Sequence, residues 1–126
     1  MPPPLPPISD SEWDVMNVLW SAAVPLAAAD VVARLDGVRD WNPRTVKTLL
    51  NRLINKGALA YDMEGKRYLY RPRVARDQCV REETRSFLSR VFANAPGPML
   101  LQFVAQARLT PDEVEALKRL LDKKGK

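Results

Sequence analysis

Histidine is absent from this 126-residue chain, and cysteine occurs once, at Cys79. A lone thiol forms no intramolecular disulfide and no cysteine-based metal cluster. With no histidine either, no zinc site is expected and the commonest general base is missing. The carboxylates are scattered, and Glu82 and Glu83 read as a solvated helix face rather than as acid–base machinery. The expectation is a protein that is not an enzyme and carries no cofactor and no metal. No run approaches the roughly 20 apolar residues that span a bilayer, so no membrane insertion is expected. The opening Met1-Pro-Pro-Pro-Leu-Pro-Pro7 lacks the basic and apolar regions of a signal peptide. Residues 1–7 are expected to be an extended, disordered, proline-rich lead-in, and the chain to be cytoplasmic.

Acid is missing altogether from Trp41 to Tyr61, within a chain of net charge +5. The asymmetry is wide. Residues 1–42 hold two basic side chains against six acids, residues 43–73 eight against two, and residues 74–126 ten against seven. Positive charge concentrated in one short block is the electrostatic footprint of a polyanion partner.

That block contains Asn42-Pro-Arg-Thr-Val-Lys-Thr-Leu-Leu-Asn-Arg-Leu-Ile-Asn-Lys-Gly57. Asn42 suits the N-cap, Pro43 the first helical position, and Gly57 a left-handed stop. Val46, Leu49, Leu50, Leu53 and Ile54 form one apolar stripe at helical spacing. The opposite face offers Arg44, Thr45, Lys47, Thr48, Asn51 and Arg52, donor-rich side chains that suit base edges and phosphates. An ordinary solvated basic face is the bland alternative.

Before this segment, Ser9-Asp-Ser-Glu12 reads as a capping box opening a first helix, with Ile8 placed to staple onto Trp13. Trp13, Met16, Leu19 and Trp20 mark its inward stripe, and Val15 and Val18 fall off it. Pro25 breaks the chain, and a second helix is expected over 28–35 with Val31, Val32 and Leu35 inward. Three short helices, the last one basic, describe a helix-turn-helix. Past Gly57 the apolar period changes from helical to alternating, through Leu59, Tyr61 and Met63. Glu64-Gly65 turns the chain, Lys66 to Arg71 runs back, and Pro72 stops it, so a β-hairpin is expected. A hairpin directly after a reading helix is a wing, with Lys66 and Arg67 at its tip. A basic tip suits phosphate.

The remainder, residues 74–126, reads as three helices. Val80, Thr84, Phe87, Leu88, Val91 and Phe92 keep helical spacing over 76–93. Pro96-Gly-Pro98 is expected to break that helix, with a second over 99–107. Thr110-Pro-Asp-Glu113 caps a third, carrying Val114, Leu117, Leu120 and Leu121. Three helices in roughly 50 residues enclose little core alone. Pairing with a second copy through Phe87, Leu88, Val91, Leu101, Phe103, Val104, Leu117 and Leu120 is the economical solution. Folding back onto the chain's own first half is the alternative. The fold class is therefore mainly α with a small β-hairpin: an N-terminal winged helix-turn-helix over 8–73 and a C-terminal three-helix dimerisation region over 74–126.

These pieces together resemble the penicillinase-repressor family, the BlaI/MecI/CopY-type transcriptional regulators. The resemblance is carried by Ile8-Ser-Asp-Ser-Glu-Trp-Asp-Val-Met-Asn-Val-Leu-Trp20, Trp41-Asn-Pro-Arg-Thr-Val-Lys-Thr-Leu-Leu-Asn-Arg-Leu53, Lys56-Gly-Ala-Leu59, Tyr68-Leu-Tyr70 and Leu109-Thr-Pro-Asp-Glu-Val-Glu-Ala-Leu117. It implies a homodimer that represses transcription at a double-stranded DNA operator of inverted TACA/TGTA-type repeats. Base contacts fall, by that resemblance, on Arg44, Thr45, Lys47, Thr48 and Asn51. Arg52, Lys66 and Arg67 are better suited to phosphate. The family's copper-responsive branch senses metal through a C-terminal cysteine cluster, which a lone Cys79 does not provide. Its β-lactam-responsive branch implies a membrane-bound sensor-protease system that cleaves an Asn-Phe bond. The corresponding bond here is Gln102-Phe103, with glutamine in place of asparagine, and both residues also read simply as part of a dimerisation helix. Two further classes are compatible with the residues: a ligand-sensing winged-helix regulator and a winged helix used for protein docking.

Overall fold

The computed structural model describes residues 5–125, in the order α1 (Asp10–Ser21), α2 (Ala28–Leu35), α3 (Pro43–Asn55), β1 (Leu59–Glu64), β2 (Arg67–Pro72), α4 (Arg76–Phe92), α5 (Pro96–Gln106) and α6 (Pro111–Lys124). The chain divides into two compact units, the first ending at Thr84 and the second beginning at Arg85. The helix α4 runs through that division.

In the first unit, α1 opens on the expected capping box. Glu12 N–H donates to Ser9 Oγ at 3.2 Å, and Ser9 N–H donates to Glu12 Oε1 at 2.8 Å. Helices α1, α2 and α3 close around Val15, Met16, Leu19, Val31, Leu35, Val46, Leu49, Leu50 and Leu53. Each fully buried Leu or Val of this kind contributes about 1.5–3 kcal/mol relative to exposure. The α1 stripe differs from the expected one. Val15 is fully buried, whereas Trp13 and Trp20 are only partly covered. Partners α2 and α3 both pack against α1, so its inward face is wider than a single stripe. The two indoles lie at its margin with centroids 5.6 Å apart, and Trp20 Nε1 donates to the Val74 carbonyl at 3.0 Å. Indoles prefer such margins because the ring is apolar and the N–H needs an acceptor.

The hairpin pairs antiparallel, with Tyr61 opposite Tyr70 and Glu64 opposite Arg67. Its turn is Gly65-Lys66, and Gly65 takes a φ of +64°, which only glycine adopts without strain. Leu26 adds an isolated bridge to Tyr70 through two backbone hydrogen bonds of 3.0 and 2.7 Å. That bridge anchors the buried end of the wing beside α2. Leu59 and Tyr70 are buried, but Tyr61 and Met63 are not, so the expected apolar face of β1 is covered only at its root. Leu5 packs against the core, and Lys56 Nζ donates to the Pro7 carbonyl at 2.7 Å. The rest of the proline-rich lead-in, residues 1–4, lies outside the described residues.

In the second unit, Pro96-Gly-Pro98 does not break a helix; it is the first turn of α5, with proline near the first helical position. Proline is tolerated there because the first-turn N–H groups have no intrahelical partner. The break falls earlier, at Ala93 and Asn94, with φ of 49° and 65°. Helix α6 starts on the expected box, Glu113 N–H donating to Thr110 Oγ1 at 3.1 Å. Phe87 stacks on Phe103 at 5.8 Å and meets Phe92 at 5.9 Å. Met99 is nevertheless the only buried side chain among this unit's described residues.

Candidate nucleic-acid interface

The geometry of the interface starts at its cap. Asn42 Oδ1 accepts from Thr45 N–H at 2.9 Å and from Thr45 Oγ1 at 3.3 Å. One side chain therefore fixes the start of α3 and the rotamer of Thr45. Four residues on, Thr48 Oγ1 donates back to the Arg44 carbonyl at 3.0 Å. Both threonine hydroxyls have spent their proton inside the helix, which leaves their methyl groups as the parts free to meet a base. Thymine methyls are the matching surface.

Arg44, Lys47, Thr48, Asn51 and Arg52 are all exposed, and Thr45 is half-buried at the cap. Among the described residues, the side chains of Arg44, Lys47, Asn51 and Arg52 make no ion pair and no hydrogen bond. No acid lies on this face, so its donors stand ready for acceptors supplied from outside. The underside of the same helix is Val46, Leu49, Leu50 and Leu53, with Ile54 partly covered, as the spacing predicts.

Two grooves flank this face. One lies between the start of α1 and α3, edged by Ser11, Trp41, Arg44 and Arg52. Trp41 is braced from behind: the Arg39 guanidinium lies 5.6 Å from its ring centroid and is itself held by Asp14 at 2.7 Å. The other groove lies between the start of α2 and the wing, where Lys47 of α3 lines it together with Met63, Lys66, Arg67 and Tyr68. Sequence reasoning placed no function on Trp41, Met63 or Tyr68; only the register of the hairpin reveals which wing face borders this groove. At the tip, Lys66 has no acid partner among the described residues, whereas Arg67 pairs with Glu64 at 3.2 Å in an exposed contact. Such surface pairs contribute little, so a phosphate can displace the carboxylate.

Behind the interface, Glu12 is 1% exposed and takes the Lys56 ammonium at 2.5 Å. Burial pushes its carboxyl up. Hydrogen bonds from Lys56 and from the backbone and hydroxyl of Ser9, with the Lys56 charge, outweigh burial and hold it below its ordinary value. The Cys79 thiol is pushed up by burial and by the neighbouring Glu82 charge, which keeps it protonated and unreactive. No grouping of histidine, cysteine or carboxylates suited to a metal ion occurs among the described residues.

A model of the penicillinase repressor family matches residues 8–123. The chain belongs to the penicillinase repressor family. It is 32% identical to the penicillinase repressor of Bacillus licheniformis over 118 residues, covering 94% of this chain and 91% of that one. It is 31% identical to the methicillin resistance regulatory protein MecI of Mammaliicoccus sciuri over 117 residues, covering 93% and 94%. Among solved structures it is similar to the DNA binding domain of the repressor BlaI, at 36% identity and a TM-score of 0.54 over 60% of this chain and 90% of that domain. It is also similar to the monomeric form of Bacillus licheniformis BlaI in complex with the blaP half-operator, at 36% identity and a TM-score of 0.52, with the same coverage. The first unit of this penicillinase-repressor family member is thus a winged helix. No helix among the described residues is long and apolar enough to cross a membrane.

The side chains named for dimerisation are mostly uncovered. Leu101 is 73% exposed, Val91, Phe103, Val104 and Leu120 are exposed, and Phe87, Leu88 and Leu117 are half-buried. The Gln102-Phe103 bond lies inside α5, where the Phe103 carbonyl accepts from Ala107 N–H at 2.9 Å. A protease needs extended backbone at the bond it cuts, so cleavage there requires the last turn of α5 to unwind.

Proposed function

We propose that the chain is a DNA-binding transcriptional repressor, acting in the cytoplasm as a homodimer on an inverted-repeat operator of TACA/TGTA type. The observation that carries this reading is the acid-free outer face of α3, with Arg44, Lys47, Asn51 and Arg52 exposed and unpaired. One such face enters each of two major-groove half-sites, separated by about one helical turn, on the order of 10 bp, or a multiple of it. Arg44 or Lys47 donates to guanine O6 and N7, Asn51 pairs with adenine, and the Thr45 and Thr48 methyls meet thymine. Arg52, Lys66 and Arg67 hold phosphates and set the register.

Residues 74–126 supply the second copy. The described residues of this unit bury only Met99 while exposing Leu100, Leu101, Phe103, Val104, Leu120 and Leu121, large apolar side chains that a second copy would cover. Linking two readers raises the effective concentration of the second at its half-site. Relief of repression through cleavage at Gln102-Phe103 by a sensor-protease system is the regulatory part of the same proposal. A docking role for the winged helix would need an apolar outer face on α3, and that face is polar. Selection of bound sites from random duplexes tests the whole reading: a palindromic motif is the expected product, and recovery of no enriched motif would overturn it.

A further inference from the structure

The wing carries two unlike faces. Because side chains alternate along a strand, Tyr61, Met63, Tyr68 and Tyr70 share one face, and Asp62, Glu64, Arg67 and Arg71 share the other. The acids are confined to the second face, where Arg67 pairs with Glu64 and Arg71 with Asp62. The first face borders a groove whose other wall is the start of α2, Ala27 to Ala29, with Lys47 of α3 beside it; Lys66 and Arg67 at the wing tip line it too. Met63, 58% exposed, and Tyr68, 43% exposed, both line it, and no carboxylate does. Tyr68 packs against Tyr61 at a tilt of 36°, centroids 4.5 Å apart, with Tyr70 edge-on at 6.3 Å.

Large apolar side chains left in water between cations ask for an occupant that is apolar in its middle and anionic at its edges. A protein segment matching both lysines would need acidic residues on two sides of an apolar one. A nucleic-acid strand has that pattern at every residue: an uncharged deoxyribose between two phosphates, 3.4 Å of axis per nucleotide in B-form DNA. We infer that this groove seats the sugar-phosphate backbone of one DNA strand beside the half-site, with Met63 and Tyr68 packed on deoxyriboses and Lys47 and Lys66 on the phosphates either side. The inference rests on the DNA-binding reading above and extends the contact from the wing's basic tip to its apolar face. It assigns to Met63 and Tyr68 a role in affinity for any sequence, since sugars are common to all.

The test uses the full-length chain and a fluorescein-labelled duplex recovered from the random-site selection. Tyr68→Ala is expected to weaken binding about fivefold, within the range that an aromatic packing contact supplies. The same factor is expected on a scrambled duplex, because the contact is not to bases. Neither Tyr68→Ala nor Met63→Ala removes charge, so the slope of log affinity against log salt is expected to stay as in the parent, whereas Lys66→Ala lowers it by about 0.9. Hydroxyl-radical footprints read the deoxyriboses directly: Tyr68→Ala loses protection at the flank and keeps it at the half-site centre. Met63→Ala serves if Tyr68→Ala lowers the melting temperature. Affinity within twofold of the parent for both variants, with footprints unchanged, overturns the inference while leaving DNA reading by α3 intact. A parent chain that enriches no duplex overturns both.

Discussion

Lys56, at the end of α3, donates to Glu12 in the first turn of α1 and, with the same ammonium, to the Pro7 carbonyl. One side chain thus ties the far end of α3 to the start of the chain's first helix. The Glu12 carboxylate also serves the α1 capping box, so the box and the tie stand or fall together.

Glu12 makes stability depend on acid. Its folded-state carboxyl is held below its ordinary value, so the contribution is complete above the unfolded value of about 4.3 and is lost as pH falls through the depressed folded value. Thermal melts between pH 7 and pH 2 are expected to show a falling midpoint below about pH 4 in the parent and a flatter limb in Glu12→Gln. Glu12→Ala leaves Lys56 with only the Pro7 carbonyl and no counter-charge, and is expected to cost about 1–3 kcal/mol at pH 7, short of a fully buried pair because Lys56 is partly exposed.

Asn42→Ala removes the cap of α3 without touching its outer face. The expected loss is about 0.5–2 kcal/mol of stability, measured by denaturant unfolding. Asn42→Ser keeps an acceptor at the cap and is expected to recover most of it. An alanine variant as stable as the parent would mean that the start of the helix is held by packing alone.

Leu101→Glu with Val104→Glu places two charges on the most exposed apolar stretch of α5. Sedimentation is expected to change from dimer to monomer. Operator affinity is expected to fall by about 10²–10⁴, the range that linking two binding modules provides. Base preference within a half-site is expected to stay as in the parent. A double variant that remains dimeric would place the interface elsewhere.

The segment Asn42 to Gly57 was legible because every local signal in it agrees: cap, proline, apolar stripe and left-handed stop all mark one helix, and the structure places Pro43–Asn55 there. The capping boxes at Ser9 and Thr110 were legible for the same reason. Val15 was not, because a helical stripe read from one chain segment takes no account of how many neighbours the helix will have. Pro96-Gly-Pro98 misled because proline both ends helices and begins them, and the sequence does not say which side of the break it occupies. The α3 outer face could be read from spacing, but the groove beside it could not. Met63 and Tyr68 become neighbours of Lys47 only through the Gly65-Lys66 turn and the Leu26–Tyr70 bridge, which set the register and anchor the hairpin.

The claim on which the account rests is that the outward side chains of α3 read base edges. The most direct measurement compares affinity for the selected operator with affinity for each of its single-base-pair variants, for the parent and for Asn51→Ala. In the parent, one symmetric position is predicted to carry a penalty of about 1–3 kcal/mol that disappears in Asn51→Ala, with all other penalties retained. Identical penalty profiles for the two proteins, or a uniform loss across every duplex, would contradict it.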